Sequence, residues 1–283
     1  MSTNINTSMG HDHFGTTGDG PAVIIAHGIL GSRRNWRSFA RNLSAARPDA
    51  QIWTIDLRAH GDSRDLPGAD TVAACAQDVV EAFSHLPDVV LAGHSFGGKV
   101  MTAAAARWPR PVRQLWVLDS ALGDREGSFS GGSAQVERVL ATIETLNADQ
   151  LTRESASAAL REAEFSDSLV AWMMTNVVRV EGGYRWRFAP QRIAALLEDY
   201  FQIDAWPKFS QPRRGSQHWL VRGALSPRWS VADMSWLKRV SDAGNVKEFV
   251  LEGAGHWLHA DNPKGLLALF TTHLWRADGL GDA

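Results

Sequence analysis

This chain of 283 residues has one cysteine, Cys75, and no long apolar run. A single cysteine excludes an intrachain disulfide, which favours the cytoplasm as the location. No segment reaches the roughly 18 apolar residues that a membrane-spanning helix needs. The polar stretch 1–19 lacks the basic-then-apolar pattern of a signal peptide. We therefore predict a cytoplasmic protein without a membrane span, whose first 19 residues form a flexible polar tail.

Strong charge of one sign is also absent. The formal net charge is −2, and lysines and arginines are scattered, apart from short pairs such as Arg33-Arg34. A nucleic-acid surface needs clustered basic residues, so we expect no nucleic-acid partner. The segment Gly10-His11-Asp12-His13 is a weak candidate for a metal site. A flexible tail is the favoured interpretation of that segment, and we predict no bound metal.

The most informative segment is Gly93-His94-Ser95-Phe96-Gly97-Gly98. It follows an apolar run at 89–92 and precedes a helix-forming stretch at 99–106. A strand, a tight turn and a helix in this order lift a serine out of a sheet as a nucleophile. Glycines on both sides of Ser95 let neighbouring segments approach closely, and the turn is expected to strain the serine backbone. Free N–H groups at the start of the helix can stabilise negative charge beside Ser95.

Apolar runs alternate with helical patterns along most of the chain. Strands are predicted at 22–26, 51–55, 89–92, 112–118, 217–222 and 246–251. Such alternation implies right-handed crossovers and a mostly parallel sheet with helices on both faces. From 121 to 216 the alternation stops, and helices and polar loops follow without a clear strand run. We predict an α/β fold with a core of residues 1–120 and 217–283 and a helical cap at 121–216.

A serine hydroxyl needs a base, and the base needs an orienting acid. His256 follows a predicted strand and a glycine-rich loop, which is the position that a base requires. His27 and His60 each precede a glycine in a loop, where a structural hydrogen bond is expected. His94 directly precedes the serine and is expected to point away from it. His259 is expected near the pocket rim.

Four motifs along the chain, in the order given below, resemble those of the serine hydrolases with the α/β-hydrolase fold. They are His27-Gly28-Ile29-Leu30-Gly31-Ser32, Asp56-Leu57-Arg58-Ala59-His60-Gly61-Asp62-Ser63, Gly93-His94-Ser95-Phe96-Gly97-Gly98 and Gly253-Ala254-Gly255-His256. The resemblance extends from about residue 22 to the C-terminus. Two details, Gly97-Gly98-Lys99 and the segment 256–261, are similar to a branch of small capped bacterial acyl-esterases.

The resemblance leaves a choice for the acid. The family commonly places it after the penultimate strand, where this chain has Ser226, which carries no charge. Some members place it after the strand that follows the nucleophile helix, and here that strand ends at Asp119. We therefore predict Asp119 as the acid, with Asp124 and Asp233 in reserve. The alternative role of Asp119 is to cap the loop 120–123.

Two backbone N–H groups are expected to form an oxyanion hole. One belongs to Phe96, and the other to Ile29 or, alternatively, Leu30. We predict that apolar side chains of the first glycine loop, the cap and the His256 loop bind substrate. These are Leu30, Phe129, Trp172, Met173 and Trp257.

Together these residues predict a serine esterase that needs no cofactor. It would cleave small-molecule carboxylic esters with small or medium acyl groups through an acyl-serine intermediate. A serine at position 95 argues against haloalkane dehalogenases and epoxide hydrolases, which use a carboxylate there. Thioesterases and carbon–carbon bond hydrolases are the alternatives, followed by cofactor-free haloperoxidases and non-catalytic binding proteins. A phosphate loop over 93–99 is disfavoured, because Val100 stands where a magnesium-binding Ser or Thr belongs.

Overall fold

The structure, a computed structural model, describes residues 8–15, 20–124, 132–146, 150–244 and 246–275. The strands are β1 (His11–Phe14), β2 (Ala22–Ala26), β3 (Gln51–Ile55), β4 (Val89–His94), β5 (Gln114–Leu118), β6 (Val177–Val180), β7 (Gly183–Trp186), β8 (Gln217–Gly223) and β9 (Val246–Leu251). Within these residues, seven strands form one sheet in the order β1-β3-β2-β4-β5-β8-β9. Strands β2 to β5, β8 and β9 pair in parallel, as the alternating pattern predicted.

Strand β1 lies at the edge of the sheet and pairs antiparallel with β3. The prediction of a flexible tail up to residue 19 is therefore wrong for residues 11–14. The open edge of β3 offers unpaired backbone groups, and β1 covers them. Side chains add to this contact, because the rings of His13 and Trp53 lie 4.2 Å apart and Arg33 forms an ion pair with Asp12.

Helices cover both faces of the sheet, and further helices lie in the segment between β5 and β8. They are α1 (Arg37–Ala46), α2 (Val72–Phe83), α3 (Phe96–Arg107), α4 (Gly132–Glu144), α5 (Arg153–Glu162), α6 (Asp167–Met174), α7 (Pro190–Gln202), α8 (Trp206–Phe209), α9 (Val231–Asp242), α10 (Leu258–Asp261) and α11 (Pro263–His273). Val23 and Ile25 of β2 pack in one apolar cluster with Phe39 of α1 and Phe270 of α11. Ile24 points to the other side and packs in the cluster that holds α2 and α3. None of the helices in the described ranges is long and apolar enough to cross a membrane.

The segment between β5 and β8 interrupts the alternation, as predicted, and contains α4 to α8. It also contains a two-stranded hairpin of β6 and β7, so the expectation of no clear strand in this segment is wrong. Glu181 and Gly182 form the two-residue connection, and Gly182 has a φ of 83°. A glycine in such a short loop between residues with high β-propensity is the usual signal of a hairpin.

Candidate active site

The chain turns sharply at Ser95, between β4 and α3. Ser95 has φ 54° and ψ −120°, a strained backbone conformation for a residue with a side chain. A Cβ on Gly93 would overlap the carbonyl group of Gly97, and a Cβ on Gly97 would lie 2.6 Å from the carbonyl oxygen of His27. Both flanking glycines are thus required by close backbone approach, and the turn presents Ser95 at the N-terminus of α3.

Ser95 and His256 line the same pocket. The loops that follow β2, β5 and β9 and the turn after β4 line it. The segment between β5 and β8 adds apolar side chains. Those side chains belong to α4, α6 and α7 and are Val136, Val139, Leu169, Trp172, Leu197, Tyr200 and Phe201. The structure therefore brings the predicted nucleophile and base, 161 positions apart in the numbering of the sequence, to one cavity beneath the inserted helices.

Asp119 lies behind His256. Its fully buried carboxylate accepts a hydrogen bond from Nδ1 of His256 at 2.7 Å. It also accepts bonds from the Gly223 N–H at 3.0 Å, the Trp229 Nε1–H at 3.0 Å and the Ser226 hydroxyl at 2.5 Å. Four donors to one carboxylate fix its orientation. The Nδ1 proton of His256 is thereby held, which leaves Nε2 free to accept a proton.

The other carboxylates considered as the acid have different surroundings. Asp124 is exposed to solvent. Asp233 accepts hydrogen bonds from the Ser230 hydroxyl at 2.6 Å and from the Gly123 N–H at 3.2 Å. It acts as part of the N-terminal cap of α9. The groups that bind Asp119 lie at His256 and in the segment 223–229, rather than in the loop 120–123.

Burial lowers the pKa of His256 below its ordinary value of 6.5. The positive charge of Arg228 lowers this pKa further, whereas the hydrogen bond that His256 donates to Asp119 opposes the shift. His94 and His259, which pack near His256, also have pKa values lowered by burial. All three imidazoles are therefore neutral at pH 7, which is the state in which His256 can take a proton.

This shift predicts the pH dependence of ester hydrolysis. Because only the neutral imidazole accepts a proton, kcat/KM should be constant near neutral pH and fall about tenfold per pH unit below the His256 pKa. The midpoint should lie below 6.5. The pH profile of kcat/KM is measured with a p-nitrophenyl ester, at the isosbestic wavelength of p-nitrophenol and p-nitrophenolate. Arg228→Gln removes a repelling charge and should move the midpoint upward; a wild-type midpoint clearly above 6.5 would contradict the account.

The backbone donors of the expected oxyanion hole lie at the same pocket. Ile29 and Phe96 both line it, and none of the hydrogen bonds found among the described residues uses either N–H as donor. The N–H of Leu30 donates to Nε2 of His60 at 3.2 Å, so the alternative donor is already engaged. Ile29 is therefore the better candidate of the two.

His27 and His60 have the structural roles that were predicted. Nε2 of His27 accepts from the Leu57 N–H at 3.0 Å, and Nδ1–H of His60 donates to the carbonyl of Arg58 at 2.8 Å. Burial lowers the pKa of His27 to about 4 and that of His60 to about 3, so both are neutral. Their two ring nitrogens act as one donor and one acceptor that fix the loops around the pocket.

The sequence predicts that His94 points away from Ser95, but the structure places His94 at the pocket that Ser95 lines. Its Nε2–H donates to the backbone carbonyl of His256 at 2.7 Å, and the two rings lie 4.7 Å apart. The loop after β9 folds over the end of β4, and His94 holds that loop in place. Contact between segments this distant in sequence leaves no local sequence signal.

Three of the five predicted substrate-binding residues line the pocket, namely Leu30, Trp172 and Trp257. Trp172 packs edge-on against Trp257 with ring centroids 4.8 Å apart. Met173 is not brought to the pocket, because it is fully buried in the core cluster. Adjacent residues of a helix point about 100° apart, so α6 can direct Trp172 to the cavity and Met173 to the core. Phe129 lies outside the described residues.

Several residues of the site were not predicted. Ser226 and Trp229 bind the carboxylate of Asp119. Leu197, Tyr200 and Phe201 of α7 line the pocket. The three- and four-residue spacing of these apolar residues is typical of one helix face, but that spacing does not distinguish a pocket wall from a core contact.

Comparisons with known proteins identify a matching family profile and similar esterases and lipases. A sequence profile described as the alpha/beta hydrolase family matches residues 23–269. The sn-1-specific diacylglycerol lipase ABHD11 of Xenopus tropicalis is 30% identical over 267 residues, which cover 92% of this chain and 79% of the relative. Esterase YbfF of Escherichia coli strain K12 is 26% identical over 255 residues, which cover 89% of this chain and 92% of the relative. A solved structure described as a marine microorganism esterase has a TM-score of 0.78 and 26% identity, and the match covers 93% of this chain and 98% of that one.

Proposed function

The chain belongs to the alpha/beta hydrolase family and is a carboxylic ester hydrolase, and we propose that it cleaves esters of small or medium acyl groups through an acyl-serine at Ser95. The observation that carries the proposal is the pocket shared by the strained Ser95 and by His256, which is hydrogen-bonded to Asp119. The relatives named above are a diacylglycerol lipase and esterases, and ester cleavage is what their names share.

In the first step, Nε2 of His256 takes the hydroxyl proton of Ser95 as Oγ attacks the ester carbonyl carbon. The N–H groups of Phe96 and Ile29 donate to the oxyanion that forms, and one such donor contributes about 3 kcal/mol to transition-state stabilisation. Asp119 stabilises the imidazolium through Nδ1–H. His256 then protonates the leaving alcohol oxygen as the ester C–O bond breaks.

In the second step, water attacks the carbonyl carbon of the acyl-serine. His256 takes a proton from this water and returns one to Oγ of Ser95 as the acyl–oxygen bond breaks. The products are a carboxylic acid and the original enzyme. The chain's own groups supply every proton transfer, so the proposed reaction includes no metal and no organic cofactor.

We propose that residues 121–216 act as a cap that selects the acyl group. This division is supported by the pocket-lining side chains of α4, α6 and α7, which all lie within that segment. Most of these side chains are apolar, so they favour an uncharged acyl chain. We also propose a cytoplasmic location, which the single, buried Cys75 supports.

A series of acyl chains tests the substrate class. We expect kcat/KM to be highest for p-nitrophenyl acetate or butyrate, lower for octanoate and lowest for palmitate, because the cap closes the pocket over Ser95. Each acyl group should also be presented as an N-acetylcysteamine thioester. A general preference for the thioesters would favour the thioesterase alternative, and palmitate as the best substrate would contradict the proposed acyl size.

A further inference from the structure

Lys99 is a buried lysine on α3, the helix that begins directly after Ser95. Its side chain is among the largest of the fully buried ones, with 1% relative exposure. Its Nζ donates to three backbone carbonyls, those of Gly123 at 2.8 Å, Tyr200 at 2.9 Å and Ile203 at 2.8 Å. An ammonium has three N–H donors, and each of these bonds can use one.

These carbonyls belong to two segments outside α3. Tyr200 lies in the last turn of α7, and Ile203 is its C-cap residue. The last carbonyls of a helix lack a donor four residues later and carry partial negative charge, so a buried ammonium supplies both a donor and an opposite charge. The Tyr200 carbonyl also accepts from the Ile203 N–H at 3.4 Å. Gly123 lies in the loop that follows Asp119. Lys99 therefore ties the nucleophile helix to the end of α7 and to the loop after the proposed acid.

The end of α7 is also a wall of the pocket. Leu197, Tyr200 and Phe201 line it. The ring of Tyr200 packs 5.5 Å from that of Phe96, whose N–H is an expected oxyanion donor. The ammonium of Lys99 lies 4.1 Å from the centroid of the Tyr200 ring, so it contacts the same residue through both its carbonyl and its ring.

We propose that Lys99 is a positioning residue for acyl-group selection, which fixes the α7 wall at its distance from Ser95. This inference rests on the proposed function and deepens it. When the three carbonyls lose their donor, the end of α7 is no longer held to α3. The wall of Leu197, Tyr200 and Phe201 can then recede from Ser95. Longer acyl chains gain room, and short acyl groups lose the contacts that orient them for attack.

The main test is Lys99→Met, which keeps a long side chain but removes the charge and the three donors. The readout is the ratio of kcat/KM for p-nitrophenyl octanoate to that for the acetate. We expect this ratio to rise about tenfold, the smaller end of what a change in hydrophobic pocket fit produces. Wild-type turnover of the same esters is measured beside it. If the wild-type protein hydrolyses neither ester, the proposed function is wrong. If the wild-type protein is active, the octanoate-to-acetate ratio tests the role of Lys99 alone.

Arg47→Met is a matched control for lost stability. Arg47 is 3% exposed, and its guanidinium donates to the carbonyls of Leu274 at 3.1 Å and Trp275 at 3.2 Å. It follows α1, on the sheet face opposite α3. Its loss should lower the melting temperature, as the loss of Lys99 should, but leave the octanoate-to-acetate ratio unchanged. An equal change of the ratio in both variants would make the effect one of stability and overturn the proposal.

Lys99→Arg serves as the second variant, in case the methionine variant does not fold. It keeps the charge and several donors, but the planar guanidinium cannot place three donors as an ammonium does. We expect a folded protein with a smaller change of the ratio in the same direction. A wild-type ratio in every folded Lys99 variant would overturn the proposal.

Discussion

Replacing Ser95 with alanine should lower kcat for p-nitrophenyl butyrate by about three to six orders of magnitude, as loss of a catalytic serine does elsewhere. The proposed reaction proceeds through a bond between Oγ and the acyl carbon, and alanine has no atom that can form it. The backbone N–H groups of Phe96 and Ile29 stay in place, so a residual activity above the uncatalysed rate should remain. The measurement is kcat on purified protein whose fold is checked by circular dichroism.

Two comparisons make this result specific. Ser210→Ala removes another buried serine hydroxyl, one that donates to the carbonyl of Pro207 and lies outside the pocket. Turnover of that variant should stay near the wild-type value. His256→Ala introduced into the Ser95→Ala protein should cost little more, because nucleophile and base act as one unit. Ser95→Ala protein that keeps most of the wild-type turnover would remove Ser95 from the mechanism.

Asp119→Asn should lower kcat by about four orders of magnitude, which is the effect of the same change in another Ser-His-Asp enzyme. The amide has nearly the size of the carboxylate but no charge to stabilise the imidazolium of His256. Both carboxylate oxygens of Asp119 accept hydrogen bonds, from Ser226, Trp229, Gly223 and His256. The NH2 group of asparagine replaces one of these oxygens and cannot accept a hydrogen bond. At least one of these donors then loses its acceptor. The measurement is kcat, with the melting temperature recorded for each variant.

Ser226→Ala is the matched control for this prediction. It removes one donor to Asp119 and leaves the carboxylate charge and the bond to His256 intact. The loss of one hydrogen bond to a charged group should lower kcat only about tenfold. If Asp119→Asn proves as mild as Ser226→Ala, the orienting acid is a different residue, and the proposed role of Asp119 is wrong.

Much of the fold could be predicted because its signals are local. The run of apolar residues in each central strand and the glycines around Ser95 act within a few residues. Asn262 at the start of α11 also acts locally, since its side chain accepts from the Gly265 N–H at 2.9 Å. The strands at 22–26, 51–55 and 246–251 are confirmed with their predicted bounds. The sharp turn at Ser95 has the strained backbone that its flanking glycines predicted.

The rest depends on contacts between distant segments, which leave no local pattern. Strand β1 forms because β3 offers it an open edge, and its own polar sequence does not resemble a strand. Ser226 binds Asp119, a residue 107 positions away, and nothing around Ser226 indicates that partner. Trp172 and Met173 are adjacent large apolar residues, so the sequence does not distinguish them. The packing of α6 places only Trp172 at the pocket.

The central claim is that the hydroxyl of Ser95 is the nucleophile and His256 its base. The most direct test is the mass of the intact protein after reaction with a fluorophosphonate, followed by peptide mapping. We expect one adduct per chain, on the peptide that contains Ser95, and no adduct in Ser95→Ala. Labelling should be far slower in His256→Ala. An unlabelled wild-type protein, or an adduct on another residue, would contradict the account.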